Sequence, residues 1–279
     1  MLIVMKNTTT KHQIGNVVAK KYKLVSREYH PENTLVEINK NVVFGGKKPV
    51  IIAGPCAIES EKQLLEIAKK VKAIGADMLR GGAYKPRTSP YSFRGIGKEG
   101  LSIITTISKE VGIPIISEIT SVLDLDLFKN VDMIQIGSRN MSNFDLLERV
   151  ADIGKPILLK RGMSSTMEEF LLAAEYILKR GNPNVVLCER GIRTFETSSR
   201  NILDLNTLAL IQKESHLPII ADPSHSAGRF DLVIPLAKAA LSAGSHGLII
   251  EVHNNPKEAL CDGNQSLNFN TFESLMKQL

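Results

Sequence analysis

Eight short, β-branched apolar runs alternate with amphipathic helical stretches, a charged or reactive residue closes each run, and no glycine-rich nucleotide-binding turn follows the first. Spread over about 230 residues, these three observations predict an α/β fold of the (β/α)8 TIM-barrel type. A doubly wound sheet would need fewer strands and a GxGxxG-like first turn. The expected division is an N-terminal extension with a short β-hairpin over residues 1–46, then one barrel over residues 47–279.

In chain order, residues 1–32 are polar and lysine-bearing without a sustained period, and TLVEINKNVVFGG reads as a hairpin. The eight runs are PVIIAG, ADMLRGG, IPIISEI, DMIQIG, PILLKRG, VVLCERG, LPIIADP and GLIIEV. Between them the helices announce their own ends. Ser60-x-x-Gln63 forms a capping-box pattern ahead of Leu64, Ile67, Ala68 and Val71, and Gly75 terminates that stripe. Ser165-x-x-Glu168 does the same ahead of Phe170, Ala174, Ile177 and Leu178, with Gly181 and Pro183 closing the helix.

The chain of 279 residues is 43% hydrophobic, enough for a large buried core. A net charge of +6 favours anionic partners, whereas only 5% aromatics and no Trp leave few stacking platforms for nucleic acid. Small phosphorylated or carboxylated molecules are therefore the expected ligands. Three cysteines, Cys56, Cys188 and Cys261, make no disulfide framework and suit the reducing cytoplasm. Neither a signal-peptide core nor an apolar run of membrane-spanning length is found in the sequence.

Barrel chemistry sits at the C-terminal ends of the strands. Those ends carry Cys56, Arg80 with Lys85, Glu118, Gln135 with Arg139, Lys160 with Arg161, Glu189 with Arg190, His225, and Glu251 with His253. Cys56, His225, Glu251 and the nearby Asp262 offer one sulfur, one nitrogen and two oxygen donors, a set suited to a divalent transition metal. Read singly, Cys56 is equally a small buried hydrophobe and His225 a satisfied loop histidine.

The stretch RGGAYKPRTSPYSFRG, residues 80–95, holds four fixed cations and no carboxylate. Arg80, Lys85, Arg87, Arg139, Lys160 and Arg190 come from different strand ends, a distribution that rings one cavity rather than striping a surface. Arginine forks pair with carboxylate and phosphate oxygens, so several in one place imply a ligand with more than one anionic group, or two ligands. Arg161 and His253 are left outside this set, and Asp222 is either structural or a partner that orients His225.

In order along the chain, IIAGPCAIES, LRGGAYKPRTSPYSFRG, ISEI, IQIGSRNM, LLKRGMSST, CERGIRTFE, IIADPSHSAGR and IIEVH closely resemble the 3-deoxy-D-arabino-heptulosonate 7-phosphate (DAHP) synthase family. The similarity runs from about Thr34 to the C-terminus and points to the compact-barrel branch shared with 3-deoxy-octulosonate 8-phosphate synthase. KPRT, with Pro86, resembles the heptulosonate enzymes, since octulosonate enzymes typically carry Asn there.

The resemblance implies condensation of phosphoenolpyruvate with erythrose 4-phosphate and water, the first step of the shikimate route to aromatic amino acids. It implies one divalent cation, Mn2+, Fe2+, Co2+ or Zn2+, on Cys56, His225, Glu251 and Asp262. Arg139 and Arg190 would take the phosphate of phosphoenolpyruvate, with Arg80, Lys85 and Lys160 around its carboxylate and Gln135 beside it. Arg87 and Thr88 would take erythrose 4-phosphate. Lys85 is the expected proton donor to the aldehyde oxygen and Glu118 the residue near the attacking water. A homotetramer is implied, without nucleic acid or membrane as partner.

Two departures from the family pattern stand out: Asn254 and Asn255 in IIEVHNNP, and Cys261 directly before Asp262. With about 45 residues ahead of the barrel, little or no feedback inhibition is expected. Competing readings are octulosonate 8-phosphate synthesis from arabinose 5-phosphate, a Schiff-base aldolase using Lys160, and a non-catalytic barrel that binds RNA or another anionic ligand.

Overall fold

A computed structural model describes residues 21–87 and 89–279. Its first strands, β1 (Val36–Asn39) and β2 (Val42–Phe44), pair antiparallel as the expected hairpin. Eight further strands follow: β3 (Val50–Gly54), β4 (Met78–Arg80), β5 (Ile115–Ile119), β6 (Met133–Ile136), β7 (Ile157–Lys160), β8 (Val185–Glu189), β9 (Ile219–Ala221) and β10 (Gly247–Glu251). All eight pair in parallel, and β10 returns to β3 to close the barrel. The expected TIM barrel is the observed fold.

The helices are α1 (Glu61–Ile74), α2 (Lys98–Val111), α3 (Phe144–Ala151), α4 (Met167–Lys179), α5 (Leu205–Glu214), α6 (Pro223–Ala227), α7 (Val233–Ser242) and α8 (Phe269–Met276). Between β5 and β6 a 3-10 segment, Val122–Asn130, replaces an α-helix and buries only Phe128. On α1 half of the expected capping box forms: Ser60 Oγ accepts from the Gln63 amide, Gln63 Oε1 takes the Glu59 amide at 3.3 Å instead of that of Ser60, and Gly75 adopts a left-handed φ of 114°. On α4 the expected capping box is displaced by one residue. Thr166 and Glu169, rather than Ser165 and Glu168, make the reciprocal bonds, and Glu168 instead pairs with Lys21 at 2.7 Å. Both pairs satisfy the same four-residue spacing, so sequence pattern alone does not separate them.

Strand side chains alternate between two apolar clusters. Ile51, Ala53, Leu79, Ile134, Leu159 and Leu187 face the helices, while Val50, Ile52, Met78, Met133, Leu158 and Val186 fill the barrel interior. Val36, Val42 and Phe44 join that interior cluster, so the hairpin stoppers the barrel end opposite the strand C-termini. Upstream, the Glu175 carboxylate on α4 accepts the amides of Lys23, Leu24 and Val25 at 3.0, 2.7 and 3.0 Å. His216 holds the same segment through Leu24 O at 2.8 Å and Thr34 Oγ1 at 2.6 Å.

Period-two alternation also dictates what reaches the mouth. Two residues beyond an inward apolar side chain comes the next inward one: Met78 leads to Arg80, Ile116 to Glu118, Met133 to Gln135, Leu158 to Lys160, Cys188 to Arg190, Ile220 to Asp222 and Ile249 to Glu251. Each of these polar residues therefore shares a face with the apolar plug beneath it.

Candidate active site

Glycine permits the first approach of strands. A Cβ on Gly54, whose φ is 152°, would lie 2.1 Å from Arg80 O, so only glycine lets β3 and β4 come together below Cys56. Cys56, His225, Glu251 and Asp262 then converge, with one donor atom from each lying within 4.8 Å of all the others. Cys56 Sγ is 3.1 Å from Asp262 Oδ2, and His225 Nε2 is 3.4 Å from Glu251 Oε1 and 3.8 Å from Asp262 Oδ2. Asp262 is the one non-glycine residue with positive φ, 52°, among the described residues, a conformation Asp tolerates better than most.

The donor set fits a divalent cation on two grounds. Its soft sulfur, imidazole and two carboxylates match a transition metal. Moreover, Glu251 is fully buried yet its Oε1 accepts no hydrogen bond, while Oε2 is held by Gln265 Nε2 at 2.6 Å. A buried carboxylate oxygen without a donor is costly unless a cation faces it. Arg80 Nη1 forms an ion pair with that oxygen at 3.0 Å but no hydrogen bond, which leaves the oxygen able to accept a second cation.

Charge within the cluster is already biased toward ligation. Burial raises the Asp262 carboxyl, but His225, the Cys56 thiol, Arg200 and Lys85 outweigh it and hold it down at about 2. Burial keeps the His225 imidazole below its ordinary range despite Asp222 and Glu251. Cys56 is pushed up by its contact with Cys261, whose Sγ is 3.0 Å away, then by burial and by Glu251. That rise opposes ligation at Cys56 alone, and a bound cation would offset it, because the thiolate is the ligating form.

Over this cluster opens a cavity of about 240 Å3 whose lining includes six basic side chains, Lys85, Arg87, Arg139, Lys160, Arg190 and Arg200, against the two carboxylates of Glu118 and Asp262. Five of the six cations expected from sequence are among them. Arg80 lies deeper, beside Lys85, Glu118 and Gln135, and its buried Nε has no hydrogen-bond partner among the described residues. Burial works against the Lys85 ammonium, but Cys56 and Glu118 outweigh it and raise its pKa. Glu118 accepts from Gln135 Nε2 at 3.1 Å. Thr88 lies outside the described residues.

Arg200, Met163 and three serines, Ser89, Ser92 and Ser138, also line the cavity and were not singled out by sequence. Arg200 belongs to the long β8–α5 connection, far from any strand end, where no periodicity marks it. It donates to Gln265 Oε1 at 3.0 Å and stands 3.7 Å from Asp262 Oδ1. Arg161, outside the ring of cations, is ion-paired with Glu189 at 2.8 Å and Asp204 at 2.9 Å. His253 is not among the four clustered donors, and its Nε2 lies 2.9 Å from the side-chain Nε2 of Gln63.

Residues 33–279 match the sequence profile of the DAHP synthetase I family. A phospho-2-dehydro-3-deoxyheptonate aldolase from Thermotoga maritima is 51% identical over 263 residues, covering 94% of this chain and 78% of that protein. The crystal structure of a phospho-2-dehydro-3-deoxyheptonate aldolase (DAHP synthase) from the same organism superposes with a TM-score of 0.90 at 50% identity, covering 94% of this chain and 76% of that one. A 2-dehydro-3-deoxyphosphooctonate aldolase from Desulfatibacillum aliphaticivorans is more distant, 34% identical with 86% of this chain and 94% of that protein covered.

Proposed function

The chain belongs to the DAHP synthetase I family, and on that premise we propose that it condenses phosphoenolpyruvate with erythrose 4-phosphate and water to give DAHP and inorganic phosphate. One observation carries this reading: His225 and Asp262 belong both to the four-residue donor cluster and to the wall of the cationic cavity. An anionic substrate pair and a Lewis acid are thereby brought to one place. Pro86, also in that wall, favours the heptulosonate reaction over its octulosonate counterpart.

A divalent cation on Cys56, His225, Glu251 and Asp262 would supply Lewis acidity toward the aldehyde carbonyl, and Mn2+, Fe2+, Co2+ and Zn2+ all suit the donors. The chain's own groups do the rest. Arg139 and Arg190 hold the phosphate of phosphoenolpyruvate, and Arg80, Lys85 and Lys160 its carboxylate. Arg87, with Thr88, takes the phosphate of the aldose. Held so, C3 of phosphoenolpyruvate attacks the aldehyde carbon, and the Lys85 ammonium donates a proton to the oxygen. Cationic charge develops at C2, where water adds beside Glu118. The resulting phosphohemiketal loses phosphate by C–O cleavage, leaving the 2-keto product.

The barrel over residues 47–279 is the catalytic unit and residues 1–46 an appended extension, with the active form a homotetramer. No helix of the described residues is long and apolar enough to cross a membrane. Its three free cysteines favour work in the reducing cytoplasm. Chelator-treated protein tests the reading directly: phosphoenolpyruvate loss and phosphate release should return when Mn2+ and erythrose 4-phosphate are supplied. Turnover with arabinose 5-phosphate alone would move the chain to the octulosonate reaction, and light scattering checks the tetramer.

A further inference from the structure

We propose that Asp222 is a positioning residue that couples metal retention to occupancy of the phosphoenolpyruvate site, an inference that rests on the reading of cluster and cavity above. Asp222 follows β9, is fully buried and caps α6 by accepting the His225 amide on Oδ1 at 2.9 Å. Its other oxygen, Oδ2, is shared. Lys160 Nζ, a cavity-lining cation, lies 2.5 Å from it, and His225 Nδ1 lies 2.8 Å from it.

The two partners face different ligands. Lys160 opens on the anion cavity, and His225, though it also lines that cavity, sets its far nitrogen, Nε2, among Glu251 and Asp262. A carboxylate on Nδ1 fixes the imidazole tautomer that leaves Nε2 free to ligate, and raises its strength as a ligand. In the present arrangement Lys160 holds Oδ2 closely, and the Nδ1 atom, though near, makes no aligned hydrogen bond with it. That contact has room to strengthen.

An anion in the cavity draws the Lys160 ammonium toward itself. The Oδ2 charge is then less neutralised and acts more fully on His225, which binds its cation more tightly. Linkage makes the effect reciprocal: by whatever factor the anion tightens the metal, the metal tightens the anion. Part of that factor is direct attraction between anion and cation, independent of Asp222; the remainder passes through the shared carboxylate.

The experiment measures Mn2+ affinity by electron paramagnetic resonance of the free ion, with and without phosphoenolpyruvate and with no aldose present, so that no turnover enters. Wild-type protein should bind Mn2+ at least about 5-fold more tightly with phosphoenolpyruvate, the low end of ordinary coupling. Asp222→Asn should weaken Mn2+ binding by about 10- to 100-fold, the usual loss on removing such an outer partner. It should also leave a coupling factor well below the wild-type one. Lys160→Met, which removes the competing cation, should bind Mn2+ without phosphoenolpyruvate at least as tightly as wild type.

Equal coupling in wild type and Asp222→Asn overturns the inference while leaving the proposed reaction intact. Weaker Mn2+ binding in Lys160→Met does the same, and serves if Asp222→Asn fails to fold. If calorimetry finds that phosphoenolpyruvate does not bind metal-loaded wild type, the reading of the cavity falls, and the inference with it.

Discussion

Gly137 stands so close to Glu118 that a Cβ on it would lie 1.9 Å from Glu118 Oε1. Its φ of −71° is open to any residue, so the glycine is required by the carboxylate and not by the backbone. Gly137→Ala should therefore fold with a melting temperature near that of wild type while displacing Glu118. Displacement of a reacting group by about 1 Å costs on the order of 100-fold, and kcat should fall by that much. Near-normal turnover in both Gly137→Ala and Glu118→Gln would remove Glu118 from the mechanism.

Loss of a donor should empty the cation site. Cys56→Ala and Glu251→Gln are expected to retain little metal after desalting, measured by elemental analysis, whereas Cys261→Ser should retain it. In wild type, Mn2+ at 100 times its Kd should stabilise the fold by about 2.7 kcal/mol over the chelated protein in urea titrations. Retention by Cys56→Ala together with loss in Cys261→Ser would transfer the ligand role to the second thiol.

The arginines should separate by substrate. Removing a hydrogen bond to a charged group costs about 1.5–3 kcal/mol, roughly 10- to 100-fold. Arg190→Ala should raise KM for phosphoenolpyruvate by that factor, and Arg87→Ala should raise KM for erythrose 4-phosphate with little change for phosphoenolpyruvate. Initial-rate kinetics with each substrate varied in turn decides between this partition and its reverse.

Acid should destabilise the N-terminal anchorage. Burial holds His216 below its ordinary range, assisted by His30 and Arg27, although its bond to Leu24 O opposes the shift. Burial likewise depresses His246. With folded pKa values below the unfolded value near 6.5, the unfolded chain takes up protons first as pH falls. The contribution of these two histidines is full above about pH 6.5 and is lost as pH drops through their folded values. The urea midpoint should be lower at pH 5.5 than at pH 7.5, and His216→Gln should flatten the difference.

Phe44, fully buried in the interior cluster, tests the hairpin as a plug. Phe44→Ala should cost about 3–5 kcal/mol in chemical denaturation. The anion cavity lies at the opposite end, so KM for phosphoenolpyruvate should stay within about 2-fold of wild type, a rim-remote change being additive.

Much of this molecule is local in origin. The eight apolar runs, the hairpin and the stops at Gly75 and Gly181 follow from periodicity and capping, which act over a few residues. Even the convergence of Arg80, Glu118, Gln135, Lys160, Arg190 and Glu251 is implicit in the sequence, because strand alternation places each two residues past an inward apolar side chain. The cap of α4 is ambiguous for an equally local reason: two overlapping patterns satisfy the same rule, and in the structure Thr166 and Glu169 make the bonds.

Other features depend on residues far apart along the chain. Arg200 reaches the cavity from a connection with no regular period, Gly137 is needed because of a carboxylate on the preceding strand, and Asp222 acquires meaning when β7 and β9 bring Lys160 and His225 to one oxygen. Local pattern is enough to place the strands, their inward faces and the residue types at their ends, since these are set by near-neighbour sterics and burial. Which of those groups share an atom depends instead on closure of the barrel and on distances between loops, and no local pattern encodes either.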